Sequence, residues 1–337
     1  MGCSPFFTDT LSFQITHGKT QQEQRGGWSI PADSSSLVCE RLTKVYAESP
    51  VPALDSVSFT LPTRGVFVLI GRNGSGKTTL VRILATNLES TAGTATLNGI
   101  DVTSEPDKIR KRIAIVPQEA RPIPWMTPLQ SVLSYLLWRG LGYAEARQKA
   151  REVLDRLFFG GKAEALNRTL SGGMKRKVLV AMILSTEAEV IFLDEPTTGL
   201  DPISRQEFWE LLQEIRKDRF VVLTTHYMEE AEQLADTIGV LEEGRLIALG
   251  TLDELRRRMR YNYSVKLLSL PAPAVSLTEG EMVKGRDDLP VILTTEEEAF
   301  RIAQNLSREG IRFTINPVVL EDIFFYLVHH GGNTGGG

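Results

Sequence analysis

The chain has 337 residues, of which 42% are hydrophobic, enough for one large domain with a core and a smaller second domain. Lysine and arginine number 38 against 42 aspartates and glutamates, and the resulting net charge of −4 argues against a strong nucleic-acid-binding field. The two cysteines, Cys3 and Cys39, argue against a disulfide scaffold and a cysteine-rich metal or iron–sulfur site. Since no apolar run reaches the ~18 residues of a membrane span, we expect any membrane function to need another chain.

The first part of the chain changes from a polar segment to predicted strands. Residues 1–36 are rich in Gln, Ser and Gly without a clear hydrophobic period, and we expect a flexible arm. Residues 37–46 and 53–61 alternate like antiparallel strands. Residues 66–70 are uniformly apolar, which predicts a buried strand.

A glycine-rich segment follows that strand directly. Residues 71–79, Gly-Arg-Asn-Gly-Ser-Gly-Lys-Thr-Thr, match the phosphate-loop pattern G-x-x-x-x-G-K-[ST], and the strand before and the amphipathic stretch after them disfavour a chance glycine-rich turn. In this context backbone N–H groups face a phosphate at a helix N-terminus. Lys77 would reach the β- and γ-phosphates, and the Thr78 hydroxyl would ligate Mg²⁺. The residues expected to hold a nucleotide here are Asn73, Gly74, Ser75, Gly76, Lys77, Thr78 and Thr79.

Further along, the pattern predicts a hairpin, a helical region and a parallel sheet. Asn98-Gly99 suits a type I′ turn between strands within residues 94–102. Residues 118–170 carry helical patterns and predict a helical subdomain. The apolar runs ending at Asp194 and at Thr225 lack alternation, which is typical of central strands in a parallel sheet.

Polar residues follow the ends of these two strands. Asp194 could hold the Mg²⁺ shell, and Glu195 is the expected general base or water-orienting group. His226 alone would be interpreted as a core histidine. Because the carboxyl ends of parallel strands meet at one sheet edge, we instead expect His226 to contact the γ-phosphate.

A further motif reveals a family resemblance. Residues 170–174, Leu-Ser-Gly-Gly-Met, lie shortly before the Asp194-Glu195 strand. With the phosphate loop, this order resembles the ATP-binding cassette (ABC) ATPases over about residues 37–255, the first motif being their signature and the second their Walker B strand. The resemblance implies that Tyr46 stacks on adenine, that Gln118 contacts Mg²⁺ or the attacking water, and that Asp201 belongs to the D-loop. Without it, Tyr46 would be a strand aromatic and Gln118 a surface amide.

The resemblance also implies a composite site and a fold. Ser171, Gly172 and Gly173 would bind the γ-phosphate of ATP held by a second, head-to-tail subunit, so one subunit alone should hydrolyse poorly. Met174 replaces the glutamine usual in the family, and the contact of that side chain is lost. The expected fold class is α/β: a P-loop NTPase core with a mainly parallel sheet, a small antiparallel β subdomain, a helical subdomain and a C-terminal α+β appendage.

The sequence divides into 1–36, an ATPase domain at 37–260, a small α+β domain at 261–330 and a flexible tail at 331–337. In the appendage, residues 263–270, 291–294 and 311–316 predict strands and 320–328 a helix. Thr295 and Glu298 predict a capping box that opens a helix with Ala299, Ile302, Ala303 and Leu306 on one face. Residues 317–324 resemble a tail segment common in ATPase subunits of ABC exporters.

These observations favour a cytoplasmic Mg²⁺-dependent ATPase subunit of an ABC exporter. It would work as a homo- or heterodimer at the cytoplasmic face of the membrane, bound to separate multi-span permease subunits. Trp125 and Met126, in a proline-flanked loop, would line the docking groove for a permease helix unless they are core residues. The alternatives are a soluble ABC ATPase acting on DNA or ribosomes, which the acidic balance and single cassette disfavour, and an importer ATPase, whose appended domain is usually β-rich. No nucleic-acid partner is expected, and the substrate cannot be derived from this chain.

Overall fold

The computed structural model describes residues 36–157, 159–268, 277–285 and 289–331. The predicted arm and tail therefore fall outside the described residues, apart from Ser36 and Gly331. The strands are β1 (Ser36–Lys44), β2 (Leu54–Pro62), β3 (Val66–Ile70), β4 (Ala92–Leu97), β5 (Ile100–Asp101), β6 (Ile113–Val116), β7 (Val190–Asp194), β8 (Phe220–Thr225), β9 (Thr237–Glu242), β10 (Arg245–Gly250), β11 (Tyr263–Leu267), β12 (Glu281–Lys284), β13 (Pro290–Thr294) and β14 (Phe313–Pro317). The helices are α1 (Lys77–Leu84), α2 (Pro106–Arg112), α3 (Pro128–Trp138), α4 (Tyr143–Arg156), α5 (Gly172–Leu184), α6 (Pro202–Ile215), α7 (Met228–Leu234), α8 (Leu252–Arg257), α9 (Glu296–Arg308) and α10 (Leu320–Gly331).

The strands form three sheets in the described part of the chain. The central sheet has the order β10-β9-β3-β8-β7-β6, in which β9, β3, β8, β7 and β6 are parallel and β10 is antiparallel to β9. A second, antiparallel sheet has the order β2-β1-β4-β5, and a third, also antiparallel, has the order β12-β13-β11-β14. The predicted α/β class with a mainly parallel core sheet is confirmed.

The local predictions explain most of these elements. Every residue of β3, β7 and β8 is buried, as their unbroken apolar composition requires in a sheet covered on both faces. Asn98 and Gly99 both have positive φ, 50° and 75°, which is the backbone of the predicted type I′ turn between β4 and β5.

The segment between β6 and α5 is helical, as predicted. Thr127 and Gln130 form a capping box at the start of α3, where Pro128 needs no N–H partner. Helix α3 packs on α4 and α5. Two short 3₁₀ helices, Gly160–Glu164 and Asn167–Thr169, connect α4 to the signature segment.

The C-terminal part corrects one prediction. Helix α9 begins where expected, but the Thr295 side chain makes no capping hydrogen bond. The Glu298 carboxylate accepts instead from the Thr278 backbone N–H at 2.8 Å and from Arg301 Nε at 2.7 Å, because a charged guanidinium one turn away is the stronger partner. The predicted capping box is therefore wrong.

Helix α10 attaches the C-terminal part to the rest. It packs on α7, α8 and β10, and the Leu320 N–H donates to Glu232 Oε1 at 2.6 Å. Strand β11 ends at Leu267, so the residues expected to extend it to 270 are either outside it or, from 269, outside the described residues. No helix in the described ranges combines the length and apolarity that a bilayer crossing requires.

Candidate functional site

The phosphate loop joins β3 to α1 with a backbone that needs glycine at defined points. A Cβ on Gly71 would lie 2.2 Å from the Leu241 carbonyl oxygen, and one on Gly76 would lie 2.3 Å from the Ala53 carbonyl oxygen. Gly76 also has φ 105° and precedes the first residue of α1. The loop is thereby pressed against the β1–β2 connection and the end of β9, with the N-terminus of α1 directed at its concave side.

Lys77 lies at the first position of α1 with only 4% of its surface exposed. Its Nζ donates to the carbonyl oxygens of Gly71 and Arg72, both at 2.9 Å, and lies 3.9 Å from Glu195 Oε1. Burial lowers the pKa of Lys77, against the opposing effect of the carboxylates of Glu195, Asp194 and Glu242. The ammonium group is thus aimed into the loop and flanked by acidic groups.

Asp194 brings two hydroxyls together at the end of β7. Its Oδ1 accepts from Thr78 Oγ1 at 3.2 Å and from Thr224 Oγ1 at 2.6 Å, and the carboxylate is buried. Thr224 is the register partner of Asp194 on β8. Mg²⁺ takes most of its ligands from water and phosphate oxygens and needs few from the protein. A small set of carboxylate and hydroxyl oxygens beside a phosphate loop suits this ion. The residues present therefore fit this ion.

Three polar groups converge on one oxygen of Glu195. Gln118 Nε2 donates to Oε2 at 3.0 Å, Thr198 Oγ1 donates at 3.2 Å, and His226 Nδ1 lies 3.3 Å away. The Glu195 backbone has φ 45°, a conformation that costs energy for a residue other than glycine. Its N–H donates to the Thr224 hydroxyl at 3.0 Å, which supports this conformation. The carboxylate is held at the point where the ends of β7 and β8 meet.

Arg176 is a site residue that the sequence analysis missed. It is buried in α5, donates from Nε to the Pro196 carbonyl at 2.6 Å and from Nη2 to the Glu195 carbonyl at 3.2 Å. Burial lowers its pKa to about 10, so the side chain stays charged at neutral pH. The one available signal was its helical spacing from Gly173 and Val180, which places an arginine on a buried face.

Tyr46 lies just beyond β1, near the start of α1. Its hydroxyl is 3.2 Å from Thr79 Oγ1, its ring is 38% exposed, and Lys44 Nζ lies 5.5 Å from the ring centroid. Ser75 Oγ is buried and has no hydrogen-bond partner among the described residues. An exposed ring face and a hydroxyl aimed into the loop are available to a ligand on this side of Lys77.

The signature and D-loop residues form a second group. Ser171 caps α5 by accepting from the Met174 N–H at 3.3 Å, and Ser171 and Gly172 are exposed. Asp201 caps α6 by accepting from the N–H and hydroxyl of Ser204 at 3.0 and 2.7 Å, and these bonds lower the pKa of Asp201. A Cβ on Gly173 would lie 2.4 Å from Ser204 Oγ.

The structure therefore gives the predicted residues two locations. The first location is the phosphate loop, which residues 73–79 form and beside which lie Tyr46, Gln118, Asp194, Glu195 and His226. Within the described ranges, no hydrogen bond or ion pair links Ser171, Gly172, Gly173 or Asp201 to Lys77 or to the side chain of Glu195.

Trp125 projects from the helical subdomain rather than into its core. Its side chain is 74% exposed, whereas Met126 is partly buried. Two hydrogen bonds from Asn167 hold the loop around Trp125. The Asn167 backbone N–H donates to the Met126 carbonyl at 2.8 Å, and its Nδ2 donates to the Ile123 carbonyl at 2.9 Å. A fixed loop therefore presents an exposed indole.

Comparisons with known proteins identify the family. The sequence profile described as ABC transporter matches residues 54–198. The daunorubicin/doxorubicin resistance ATP-binding protein DrrA of Streptomyces peucetius is 35% identical over 305 residues, covering 86% of this chain and 91% of that protein. A doxorubicin resistance ATP-binding protein DrrA of Mycobacterium tuberculosis is 39% identical over 67% of this chain and 69% of its own length. ATP-binding cassette sub-family A member 2 of Rattus norvegicus is 32% identical over 82% of this chain, which spans 11% of that longer protein.

Solved structures agree with the sequence relatives. An ATP-binding subunit of an ABC transporter superimposes with a TM-score of 0.58 at 28% identity, covering 66% of this chain and 92% of its own. A dimeric ATP-binding cassette in a post-hydrolysis state, bound to ADP and Pi, has a TM-score of 0.59 at 26% identity and covers 64% of this chain and 98% of its own. With the phosphate loop, the acidic strand end and the signature in one fold, the chain belongs to the ABC transporter family, as an ATP-binding and ATP-hydrolysing subunit.

Proposed function

We propose that this chain powers export through separate membrane subunits. One observation supports the assignment of ATP hydrolysis to particular residues. Gln118, Thr198 and His226 converge on one Glu195 oxygen, and Lys77 lies beside the same carboxylate. Export is supported by the resistance function for which the Streptomyces peucetius relative is named, since a protein that confers drug resistance by transport removes its substrate from the cell. The DNA, ribosome and importer alternatives find no support in these relatives.

The proposed chemistry assigns each group a task. Lys77 and the loop N–H groups bind the phosphates of ATP, and Tyr46 stacks on adenine. Thr78, Asp194 and Gln118 would hold Mg²⁺, which supplies charge neutralisation at the phosphates. Glu195 orients the attacking water and accepts its proton, and His226 contacts the γ-phosphate. Positioning and electrostatic stabilisation, rather than covalent chemistry, provide most of the rate.

The second group of residues supports a composite site. Ser171 and Gly172 are exposed at the N-terminus of the 13-residue helix α5, where N–H groups and the helix dipole attract an anion. They are separate from this chain's own phosphate loop, so the anion would be the γ-phosphate of a nucleotide bound by a second subunit. A related cassette is dimeric. The assembly would be a head-to-tail homo- or heterodimer, in which Asp201 lies near the shared interface.

The membrane partner would dock at Trp125. An exposed indole on a loop held by Asn167 is the kind of anchor that dominates protein interfaces. The loop follows Gln118, so a permease helix seated there would sense the groups around Glu195. The proposal includes a location at the cytoplasmic face of the membrane, with residues 37–260 as the ATPase domain and 261–330 as an appendage.

Replacing Glu195 by glutamine tests the assignment. We expect Glu195→Gln to keep ATP affinity, to lower steady-state phosphate release by about a hundredfold or more, and to accumulate as an ATP-bound dimer in size-exclusion chromatography. Glu210→Gln makes the same change at an exposed position of α6 and serves as the control. Phosphate release by Glu195→Gln within about twofold of the Glu210→Gln rate would refute the catalytic role.

A further inference from the structure

The carboxyl group of Glu230 is buried close to the candidate site but outside it. Glu230 lies on α7 and has no exposed surface. Its Oε1 accepts from Trp209 Nε1 at 3.2 Å, and the hydroxyls of Thr197 and Thr225 lie near the carboxyl group. Thr197 Oγ1 makes no well-formed hydrogen bond within the described residues. Its Oε2 has no well-formed hydrogen bond within the part of the chain that the structure describes. A buried carboxyl requires partners of this kind.

These partners belong to three segments that carry site residues. Thr197 is two residues after Glu195, and Thr225 immediately precedes His226. Trp209 lies on α6, the helix capped by Asp201. One side chain on α7 therefore contacts the segments that bear the expected base, the expected γ-phosphate contact and the D-loop.

The surroundings favour the uncharged form of this group. Burial raises the pKa of Glu230, against the opposing effect of the nearby Thr225 and Thr197 hydroxyls, of the Trp209 hydrogen bond and of the positive charge of Arg205. Arg176 on α5 also interacts electrostatically with Glu230, and its guanidinium donates to two backbone carbonyls. Arg205, on α6, lies with its guanidinium 4.2 Å from the Tyr227 ring centroid, and His226 Nδ1 faces Glu195.

We propose that Glu230 is a positioning residue that holds the segments after Glu195 and before His226 in fixed relation to α6. The inference rests on the proposed function, because those segments matter only if Glu195 and His226 act on ATP. Because burial favours the uncharged carboxyl group, we expect an amide of the same shape to replace it. It does not contact the nucleotide.

Kinetics of the full chain test the positioning role. We expect Glu230→Gln to keep kcat within about twofold of wild type and Glu230→Ala to lower kcat about tenfold or more, with KM for ATP within about threefold in both variants. Trp209→Phe, which removes the indole donor together with part of the buried ring, should lower kcat in the same direction and keeps the test valid if Glu230→Ala does not fold. Glu229→Ala, at the exposed neighbouring position on α7, is the control and should leave both constants unchanged.

The pH dependence of unfolding provides a measurement that does not need turnover. Below the ordinary glutamate pKa of 4.5, the Glu230 carboxyl group is protonated in both the folded and the unfolded wild-type chain. Above it the unfolded chain ionises first, so the folded protein loses stability as the pH rises towards the raised pKa. The melting temperature of wild type minus that of Glu230→Gln should therefore fall as the pH rises from 4.5, whereas wild type minus Glu229→Gln should not show this fall.

The possible outcomes separate the two proposals. A Glu230→Gln variant as impaired as Glu230→Ala, a Glu230→Ala variant with normal kcat, or a melting difference that is flat or rises with pH would overturn the inference. A wild-type chain that neither binds nor hydrolyses ATP would overturn the proposed function instead, and the melting difference would still test the state of Glu230.

Discussion

Arg176 offers a quantitative test of how the fold supports the site. In Arg176→Met a flexible side chain of similar length replaces the guanidinium, and the buried carbonyls of Glu195 and Pro196 each lose a donor. The Glu195 carbonyl keeps the Thr198 N–H at 3.3 Å, so the Pro196 carbonyl is the acceptor left unsatisfied, which costs about 1–3 kcal/mol. The second Arg176 hydrogen bond and the buried charge are removed at the same time, with opposing effects, and we expect a net destabilisation of about 2 kcal/mol.

Thermal unfolding and ATPase assays measure the two consequences. A domain of this size loses about 2–4 °C per kcal/mol, so the melting temperature should fall by about 4 °C or more. The value of kcat should fall about tenfold, because the Glu195 backbone loses the anchor that opposes its unfavourable φ. The matched control is Lys177→Met on the same helix, whose partly exposed ion pair with Glu207 is worth less than about 1 kcal/mol. Equal melting temperatures for the two variants would refute the reasoning.

Two further predictions concern the nucleotide and the membrane. Lys77→Ala should weaken ATP binding about tenfold or more through the charge lost at the phosphates, as measured by titration with a fluorescent ATP analogue; an unchanged titration would mean that the loop does not bind phosphate. Trp125→Ala should keep the basal ATPase rate of the isolated subunit and weaken attachment to partner-containing membranes about thirtyfold, as measured by co-sedimentation. Unaltered sedimentation with intact folding would place the docking groove elsewhere.

The parts of the site that are continuous along the chain could be predicted from the amino-acid sequence. The phosphate loop and the Asp194-Glu195 pair are short runs whose neighbours along the chain already give their context. The meeting of Asp194 with the end of β8 followed from a general property of parallel sheets. The Asn98-Gly99 turn was predictable because its backbone conformation is local.

The residues that the sequence analysis missed depend on contacts between distant segments. Arg176 contacts carbonyls about twenty residues later, and Glu230 meets Trp209 from the preceding helix. In the sequence each is a charged residue in a helical pattern, for which an exposed position is the usual expectation. The capping box at Thr295 failed for the same reason, since Thr278 and Arg301 compete for Glu298 and one of them lies outside the helix.

The attachment of helix α10 limits how the chain can be shortened. Leu320, Ile323 and Phe324 belong to the same hydrophobic cluster as Leu234 and Leu255, which lie on α7 and α8. A fragment that stops at residue 260 would keep every residue assigned to ATP and lose this cover. Leu234 and Leu255 would then be exposed to water as part of an apolar patch, which favours aggregation. Because α7 begins two residues after His226, the loss of packing would also reach the site. Such a fragment would aggregate through this exposed surface, and the segment that carries His226 would lose support. An inactive truncation would therefore not show that the C-terminal part contacts ATP.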